Sequence, residues 1–282
     1  TALITHRFDF EAAEKAYQVL TEDKAALGII LNYQSDVASR HVREVSLKRE
    51  QAIKFNSEKP VVGLIGAGNY AARVLIPAFE AKAAQLHTIV TSGGVRGVIH
   101  GKKSGFLKAS TDVLSMLQDS MINRVAIVTR HNTHASFIVK ALQAGKHVFV
   151  EKPLAITLES LAAVEAAYDT ASTMGKKQHL MVGYNRRFSP HIQKMKALLS
   201  PIREPKSFMM LINAGAIPSK HWTQDLNVGG GRIIGEACHF IDLMRYLAGS
   251  KITSMQVRKM GDNAYTEVAE DKAVITLGFA DG

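Results

Sequence analysis

The chain has 282 residues, of which 46% are hydrophobic and 21% charged, a composition typical of a globular protein with room for two domains. No apolar run approaches the length that a helix needs to cross a bilayer, so the sequence predicts no membrane segment. Cys238 is the single cysteine, which excludes an internal disulfide framework and favours a reducing, cytoplasmic location.

The net charge of +10 and the sequence pI of about 9.6 raise the question of nucleic-acid binding. The basic residues are scattered, with only short clusters such as Lys102-Lys103 and Lys176-Lys177, and no basic motif with interleaved aromatic residues is present. We therefore expect a solvated surface and a site for anionic phosphates, and no nucleic-acid partner.

The first 33 residues have one predicted helix and one predicted strand. Apolar residues at helical spacing predict a helix over 9–20, with Asp9 as a candidate N-cap, and Leu27 to Tyr33 is typical of a strand. Residues 34–59 are polar and charged and are predicted to be a linker. The sequence begins at Thr1 rather than at a methionine and stops just after a strand-like run, so we expect a fragment of a longer chain.

From residue 60 to residue 183, strand-like and helix-like segments alternate. Short apolar runs such as Val61 to Ile65 suit buried parallel strands. Such alternation predicts βαβ units and a Rossmann-type, doubly wound parallel sheet over residues 60–183. The predicted strands are 61–65, 86–91, 124–129, 147–150 and 179–183, and the predicted helices are 70–84, 112–118, 135–144 and 158–174.

The pattern changes at residue 184. The segments 207–214, 251–260 and 271–279 alternate like the strands of an antiparallel sheet, and 231–247 is a long helical stretch. We predict a second, α+β domain over residues 184–282, with an open antiparallel sheet that is incomplete.

The segment Gly66-Ala67-Gly68-Asn69-Tyr70-Ala71 follows the first strand of the alternating region and opens a helix. The first glycine permits a tight turn, the second lets a pyrophosphate approach the backbone, and the small Ala71 lets the helix pack closely on the sheet. Backbone N–H groups and the helix dipole then stabilise the anion. We therefore predict a dinucleotide site at Gly66 to Tyr70; the alternative is a merely tight strand–helix turn.

No acidic residue ends the second strand of this region, where a carboxylate would hold the adenosine ribose. The strand instead runs into Thr91-Ser92-Gly93-Gly94, with Arg96 close behind. Since nothing here repels a 2′-phosphate, NAD and NADP both stay open as the cofactor, with Ser92, Gly93 and Arg96 as candidate contacts. An Arg96 that only points to solvent is the alternative.

Three further segments carry a family resemblance: Thr129 to His134 (TRHNTH), Ala144 to Pro153 (AGKHVFVEKP) and Gly229 to Asp242 (GGGRIIGEACHFID). With the glycine turn, they resemble the glucose–fructose oxidoreductase / inositol dehydrogenase (Gfo/Idh/MocA) family from residue 60 to residue 282. The Glu-Lys-Pro at a strand end is the most specific element. The resemblance implies a nicotinamide cofactor, a small sugar-like substrate, and a homo-oligomer formed through the sheet of the second domain.

The resemblance also implies that Lys152 and His239 are catalytic. A lysine beside a nicotinamide ring hydrogen-bonds the reacting oxygen or exchanges protons with it, and an imidazole suits a proton shuttle near neutral pH. The Lys152–Pro153 bond is often cis in the family. Many members have Asp four residues before the histidine, where this chain has Gly235; Glu236 lies about 100° further round a regular helix. We therefore expect a Lys152/His239 pair; a surface lysine and a core histidine are the alternatives.

Other residues receive roles from their positions in the same segments. The expected cofactor contacts are Thr129, Arg130, His131, His134, Glu151, Lys152 and Asn185, and the expected substrate contacts are Lys152, Arg187, Trp222, Glu236 and His239. Arg187 in a structural ion pair and Trp222 in the core remain alternatives. His131 and His134 have a spacing compatible with a metal, but no third ligand accompanies them, so we expect no metal.

Residues 1–33 resemble something different, the C-terminal tail of a medium-chain, zinc-type alcohol dehydrogenase. Such a tail ahead of this family resembles the bi-domain oxidoreductases, in which the two enzymes are fused. The tail has neither zinc ligands nor a cofactor turn, so the resemblance implies no activity for it.

These features favour an NAD(P)-dependent oxidoreductase that moves a hydride between nicotinamide and a hydroxyl or ketone of a sugar, sugar derivative or sugar nucleotide. The alternative is a non-catalytic dinucleotide-binding regulator or scaffold of the same fold, against which Lys152 and His239 argue. A nucleic-acid binder is a distant third.

Overall fold

The structure is a computed structural model that describes residues 3–33, 42–48, 55–56, 58–173, 178–261, 268 and 271–282. The chain forms two compact units, Thr1–Arg43 and Glu44–Gly282. All candidate site residues belong to the second unit.

The first unit contains a parallel pair of strands, β1 (His6–Asp9) and β2 (Ile29–Asn32), connected through helix α1 (Ala13–Glu22). Strand β1 was not predicted, and the α-helix begins later than expected because a 3₁₀ turn, Phe10–Ala12, precedes it. Asp9 stands at the N-cap of that turn, but its carboxylate makes no capping hydrogen bond. The resemblance of this segment to an alcohol dehydrogenase tail stays a prediction.

A seven-stranded sheet organises the second unit, in the order β3-β6-β5-β4-β7-β8-β9. Its strands are β3 (Glu44–Ser46), β4 (Val61–Ile65), β5 (Gln85–Val90), β6 (Lys108–Ser110), β7 (Arg124–Ile127), β8 (His147–Val150) and β9 (Leu180–Val182). Strands β4 to β9 run parallel, and only β3 is antiparallel, at the edge beside β6. The predicted parallel sheet is confirmed, and its order changes direction at β4, between β5 and β7.

Helices cover both faces of this sheet, as a doubly wound fold requires. They are α2 (Ile76–Ala81), α3 (Val95–Lys103), α4 (Val113–Gln118), α5 (His134–Gln143) and α6 (Leu158–Thr173). One apolar core joins the sheet to α4, α5 and α6 around Ile127 and Ile138, and a second joins it to α2 and α3 around Leu64 and Ile76. Residues on both faces of β4 are fully buried, which explains its unbroken apolar run.

Three elements of the sheet and its covering helices were missed in the sequence: α3, β6 and β3. Helix α3 contains Gly97 and Gly101, which read as breakers but are buried because small residues let the helix approach the sheet; a Cβ on Gly101 would lie 3.0 Å from Ile89 Cγ2. Strand β6 is only three residues long. Strand β3 lies inside the segment predicted to be a linker, and most of the rest of that segment lies outside the described residues.

The remainder of the second unit contains helices α7 (Pro190–Leu199) and α8 (Cys238–Ala248) and the antiparallel strands β10 (Ile252–Lys259) and β11 (Ala273–Phe279). The small antiparallel sheet is confirmed, but the strand predicted over 207–214 is wrong. Those residues form no strand, and Met209 and Leu211 are almost fully exposed, at 99% and 95%. None of the described strands pairs with residues 207–214, and alternation of residue types alone does not make a strand.

Candidate active site

The glycine turn lies at the carboxyl end of β4, the central strand. Gly66 has a φ of +102°, and a Cβ there would collide with the carbonyl oxygen of Val128, so this position requires glycine. A Cβ on Gly68, in contrast, would meet nothing within 4 Å. The backbone is therefore open to a ligand at Gly68, where the helical turn at Asn69 and Tyr70 begins. This open cradle fits the pyrophosphate of a dinucleotide.

The end of β5 forms the neighbouring part of this edge. Ser92 and Gly93 are exposed in the loop that leads into α3, and Arg96 is exposed in the first turn of that helix. These three residues lie where the ribose of a dinucleotide bound at the glycine turn would extend in a doubly wound fold.

Two histidines after β7 link the loops around the site. His131 Nδ1 donates to the Gly229 carbonyl at 2.7 Å, and its ring packs edge-on against Trp222 at 4.8 Å. His134 is fully buried, with Nδ1 2.7 Å from the Pro153 carbonyl and Nε2 3.1 Å from that of Thr129. Both imidazoles thus contact backbone carbonyls and link the loops, and the cofactor contact expected of them stays a prediction.

The pKa values of both histidines are lowered. Burial is the largest cause, and it lowers the pKa of His131 to about 4 although the carbonyl of Gly229 favours the charged form. Burial likewise lowers the pKa of His134.

Thr129 Oγ1 bonds Thr133 Oγ1 at 2.6 Å, and the exposed Arg130 lies 5.7 Å from the ring of Trp222. Trp222 therefore packs on the loop after β7.

Lys152 follows β8 and points across the site to the second domain. The Lys152–Pro153 bond is cis, as the resemblance implied. The Lys152 ammonium donates to the Gly235 carbonyl at 2.7 Å and to Glu236 Oε1 at 3.0 Å, and only 15% of the side chain is exposed. The lysine is therefore held in the site, contrary to the alternative of a surface lysine.

Glu151, directly before this lysine, lies beside the glycine turn. A Cβ on Gly183 would lie 2.7 Å from Glu151 Oε1, so the glycine leaves room for the carboxylate. Burial raises the pKa of Glu151. The pKa of Tyr70 is also raised, first by burial and further by the charge of Glu151. Asn185 Nδ2 donates to the Tyr70 hydroxyl at 3.1 Å. The structure thus brings three expected cofactor contacts together, from the ends of β4, β8 and β9.

His239 is held on α8, where it is 6% exposed. Burial, with the charges of Lys152 and Arg186, lowers the pKa of His239 to about 4 despite the opposing charge of Glu236. The imidazole is therefore neutral at pH 7. Its Nδ1 is buried and has no hydrogen-bond partner among the described residues.

Arg187 forms a structural ion pair, which the sequence left open as the alternative to a substrate contact. Its guanidinium pairs with both carboxylate oxygens of Asp242, whose side chain is 8% exposed, and stacks on Tyr246. The preceding Arg186 is the one that approaches the site, with Nη2 4.0 Å from Glu236 Oε2 and its guanidinium over the ring of Phe240 at 4.6 Å. Arg187 was expected as a substrate contact with a structural ion pair as the alternative, and the neighbouring Arg186 received no role from the sequence.

Among the described residues, no group of three or more His, Cys, Asp or Glu side chains is arranged to hold a metal ion. No described helix is both long and apolar enough to cross a membrane.

Cys238 is partly buried, and burial raises the pKa of its thiol to about 11, as expected of a packed side chain.

The fold and this edge define a dinucleotide-binding protein with a second α/β domain over the site. Two family models match the chain: an oxidoreductase family's NAD-binding Rossmann fold over residues 61–184, and the C-terminal alpha/beta domain of the same family over residues 201–282. The chain belongs to the Gfo/Idh/MocA oxidoreductase family.

Characterised relatives are similar over part of their length. The scyllo-inositol 2-dehydrogenase (NAD(+)) of Bacillus subtilis is 36% identical over 160 residues, which cover 55% of this chain and 43% of that protein. The 1,5-anhydro-D-fructose reductase of Ensifer adhaerens is 28% identical over 66% of this chain and 55% of its own length. A levoglucosan dehydrogenase solved with NADH and levoglucosan has a TM-score of 0.65 and 25% identity, over 79% of this chain and 65% of that one. The chain spans about half the length of the curated relatives it matches.

Proposed function

We propose that this chain is an NAD(P)-dependent oxidoreductase that acts on a hydroxyl or ketone of a sugar, sugar derivative or sugar nucleotide. The observation that carries the proposal is the position of Lys152, whose ammonium is fixed by Gly235 and Glu236, close enough to His239 for its charge to lower the pKa of that histidine, at the edge of the sheet that bears the open cradle at Gly68. Inositol dehydrogenases and a 1,5-anhydro-D-fructose reductase among the relatives support a sugar-like substrate.

The roles of the two residues follow from their protonation and contacts. Lys152 has three N–H donors, of which two bond Gly235 and Glu236, so one remains for a substrate oxygen. In the oxidation direction, Lys152 stabilises the charge that develops on that oxygen, and the neutral His239 accepts the hydroxyl proton. A bound nicotinamide supplies the hydride acceptor in this direction and the hydride donor in reverse.

The cofactor would lie along the carboxyl edge of the sheet. Gly66, Ala67, Gly68, Asn69 and Tyr70 would hold its pyrophosphate, and Glu151 and Asn185 would border the nicotinamide end near Tyr70. We propose that NADP is accepted at least as well as NAD, because Ser92, Gly93 and Arg96 present an exposed cation and no carboxylate in the loop after β5.

Domain organisation and assembly are proposed on the same basis. Residues 60–183 would form the dinucleotide-binding domain, and 184–282 the domain for substrate binding and oligomerisation. Apolar side chains on β10 and β11, including Met255, Val257 and Val274, are 49–65% exposed, which supports a homo-oligomer through this sheet. The single cysteine supports the cytoplasm as its location.

The proposal is tested with the intact chain in two steps. A thermal-shift screen with NAD, NADP, sugars and sugar nucleotides identifies ligands, since binding to the folded state raises the melting temperature. Turnover of the selected compounds is then followed by nicotinamide absorbance. Lys152→Ala should retain cofactor binding and lose roughly a thousandfold in kcat, within the range for acid–base groups.

Lys194→Ala is the matched control, because Lys194 is exposed on α7, away from the lysine contacts described above. It should turn over substrate like the wild type. Cofactor binding with no turnover of any compound, and with no difference between the two variants, would contradict the proposal and favour the non-catalytic scaffold.

A further inference from the structure

Glu236 was expected to contact substrate, but its carboxylate is already engaged by cations of the chain itself. Oε1 accepts from Lys152 at 3.0 Å, and Oε2 lies 4.0 Å from Arg186 Nη2. Burial raises the pKa of Glu236, but the hydrogen bond and charge of Lys152, with the charge of Arg186, outweigh burial and leave that pKa below its ordinary value. The group is therefore a carboxylate at neutral pH.

Lys152 bonds two groups of a π-helical turn that precedes α8. The segment Ile233–Ala237 is π-helical and continues into α8 at Cys238. The carbonyl of Gly235 and the side chain of Glu236 both bond the same ammonium. π-Turns of this kind recur at functional sites because they change which groups face a ligand.

Position 235 has no space for a side chain that would compete for the lysine. Gly235 is buried, and a Cβ there would lie 3.2 Å from Cε1 of His131 and 3.8 Å from the Gly229 carbonyl oxygen. The His131 ring is itself fixed by its hydrogen bond to Gly229, so it does not move aside readily. The carboxylate that neutralises Lys152 therefore comes from residue 236.

We propose that Glu236 is the positioning residue for Lys152, rather than a substrate ligand: together with the Gly235 carbonyl it fixes the ammonium so that its one remaining N–H points to the reacting oxygen. This inference rests on the proposed function for its consequence in catalysis, but the contact itself exists without substrate or cofactor. The two can therefore be tested separately.

The first measurement is the chemical reactivity of Lys152 in the intact, ligand-free chain. Acetic anhydride is used at trace level, and acetylation at each lysine is quantified by mass spectrometry in wild type, Glu236→Gln and Glu236→Asp. Glu236→Gln replaces the charge-assisted hydrogen bond from Lys152 by a weaker one, so the lysine should be held less firmly and its acetylation rate should rise by about fivefold or more. Glu236→Asp keeps the charge on a shorter side chain and should give an intermediate rate.

Each variant carries its own controls. The acetylation rate at Lys194 should not change in any variant, and Glu165→Gln, at an exposed position of α6, should leave the rate at Lys152 unchanged. Urea unfolding followed by Trp222 fluorescence verifies that the variants fold. An unchanged acetylation rate at Lys152 in a folded Glu236→Gln variant would overturn the inference, whether or not the chain turns over any sugar.

The second measurement uses the substrate that the turnover screen selects. A positioning residue predicts that Glu236→Gln lowers kcat by about tenfold to hundredfold while KM for the substrate changes less than about twofold. Glu236→Asp should recover part of kcat. A rise in KM with unchanged kcat would overturn the inference and identify Glu236 as a substrate ligand. A faster acetylation at Lys152 with no turnover in any protein, wild type included, would leave the contact established and contradict only the proposed function.

Discussion

His131 provides a sharp test of the electrostatics of the site, because its imidazole is 9% exposed and its pKa is lowered to about 4. Burial is the main cause, and the neighbouring His134 and Lys152 lower the pKa further, against the opposing effects of the Gly229 carbonyl and Glu236. The perturbation is His131→Asn. The amide of Asn can place a donor near the position of imidazole Nδ1 and so keep the bond to Gly229, but it does not titrate.

The expected magnitude follows from linkage. The unfolded chain protonates this histidine near its ordinary pKa of about 6.5, whereas the folded chain does not bind the proton until about pH 4, so the unfolded state binds more protons between these values. The free energy of unfolding is therefore unaffected by His131 above that window and falls as the pH is lowered through it. Between about pH 7.5 and about pH 5 the loss from this residue amounts to about 2 kcal/mol.

The assay is urea unfolding at a series of pH values, followed by the fluorescence of Trp222, the only tryptophan and a direct neighbour of the His131 ring. Between about pH 7.5 and about pH 5, the free energy of unfolding of the wild type should fall by about 2 kcal/mol more than that of His131→Asn. This difference does not depend on how far the free energies of unfolding of the two proteins differ at about pH 7.5. His191→Asn, at an exposed position of α7, controls for removal of an imidazole and should follow the wild type. Parallel pH dependences for wild type and His131→Asn would refute the reasoning.

Two further predictions concern the arginines. Arg96→Ala should weaken the binding of NADP by about tenfold and the binding of NAD by less than about twofold, as measured by fluorescence titration. Lys102→Ala, on the same helix, is the control. Equal losses of affinity for both cofactors would show that Arg96 does not bind a 2′-phosphate. Arg187→Ala should lower the free energy of unfolding by about 2 kcal/mol because it leaves the buried Asp242 unpaired, and Asp242→Asn in the same chain should recover part of the loss; full stability with loss of substrate binding would instead make Arg187 a substrate ligand.

Much of the site was predictable because its residues occupy fixed places in the fold. Parallel strands end at one edge of a doubly wound sheet, so the glycine turn after β4 and the Glu-Lys-Pro after β8 had to lie together once the alternation was recognised. The doubly wound fold was recognisable from the apolar run of β4 and from the glycine spacing after it. The location of Lys152 required no knowledge of side-chain contacts.

The roles of individual side chains were less predictable, for physical reasons that particular residues show. His131 and His134 contact carbonyls of residues 98 and 19 positions away, and sequence spacing contains no signal of such pairings. Glu236 was expected as a substrate contact, and sequence spacing contains no signal of its hydrogen bond with Lys152, 84 positions away. Arg187 and Arg186 are equivalent in the sequence, and only the buried Asp242 distinguishes them.

Helix α3 was missed for a related reason. The sequence analysis assigned no element to residues 95–103, and the two glycines of the helix are buried where it packs closely on the sheet. Helix propensity was thus overridden by tertiary contact, which a single sequence does not display.

The central claim is that Lys152 and His239 serve one site at which a hydride moves between nicotinamide and a carbon of a sugar-like molecule. The most direct test supplies the intact chain with reduced cofactor that carries deuterium at both hydrogen positions of nicotinamide C4, together with the keto compound that the screen selects. Mass spectrometry then locates the label in the product. We predict deuterium on the new carbinol carbon with wild type and none above background with Lys152→Ala. Label that never leaves the cofactor, in a wild-type chain that demonstrably binds it, would contradict the claim.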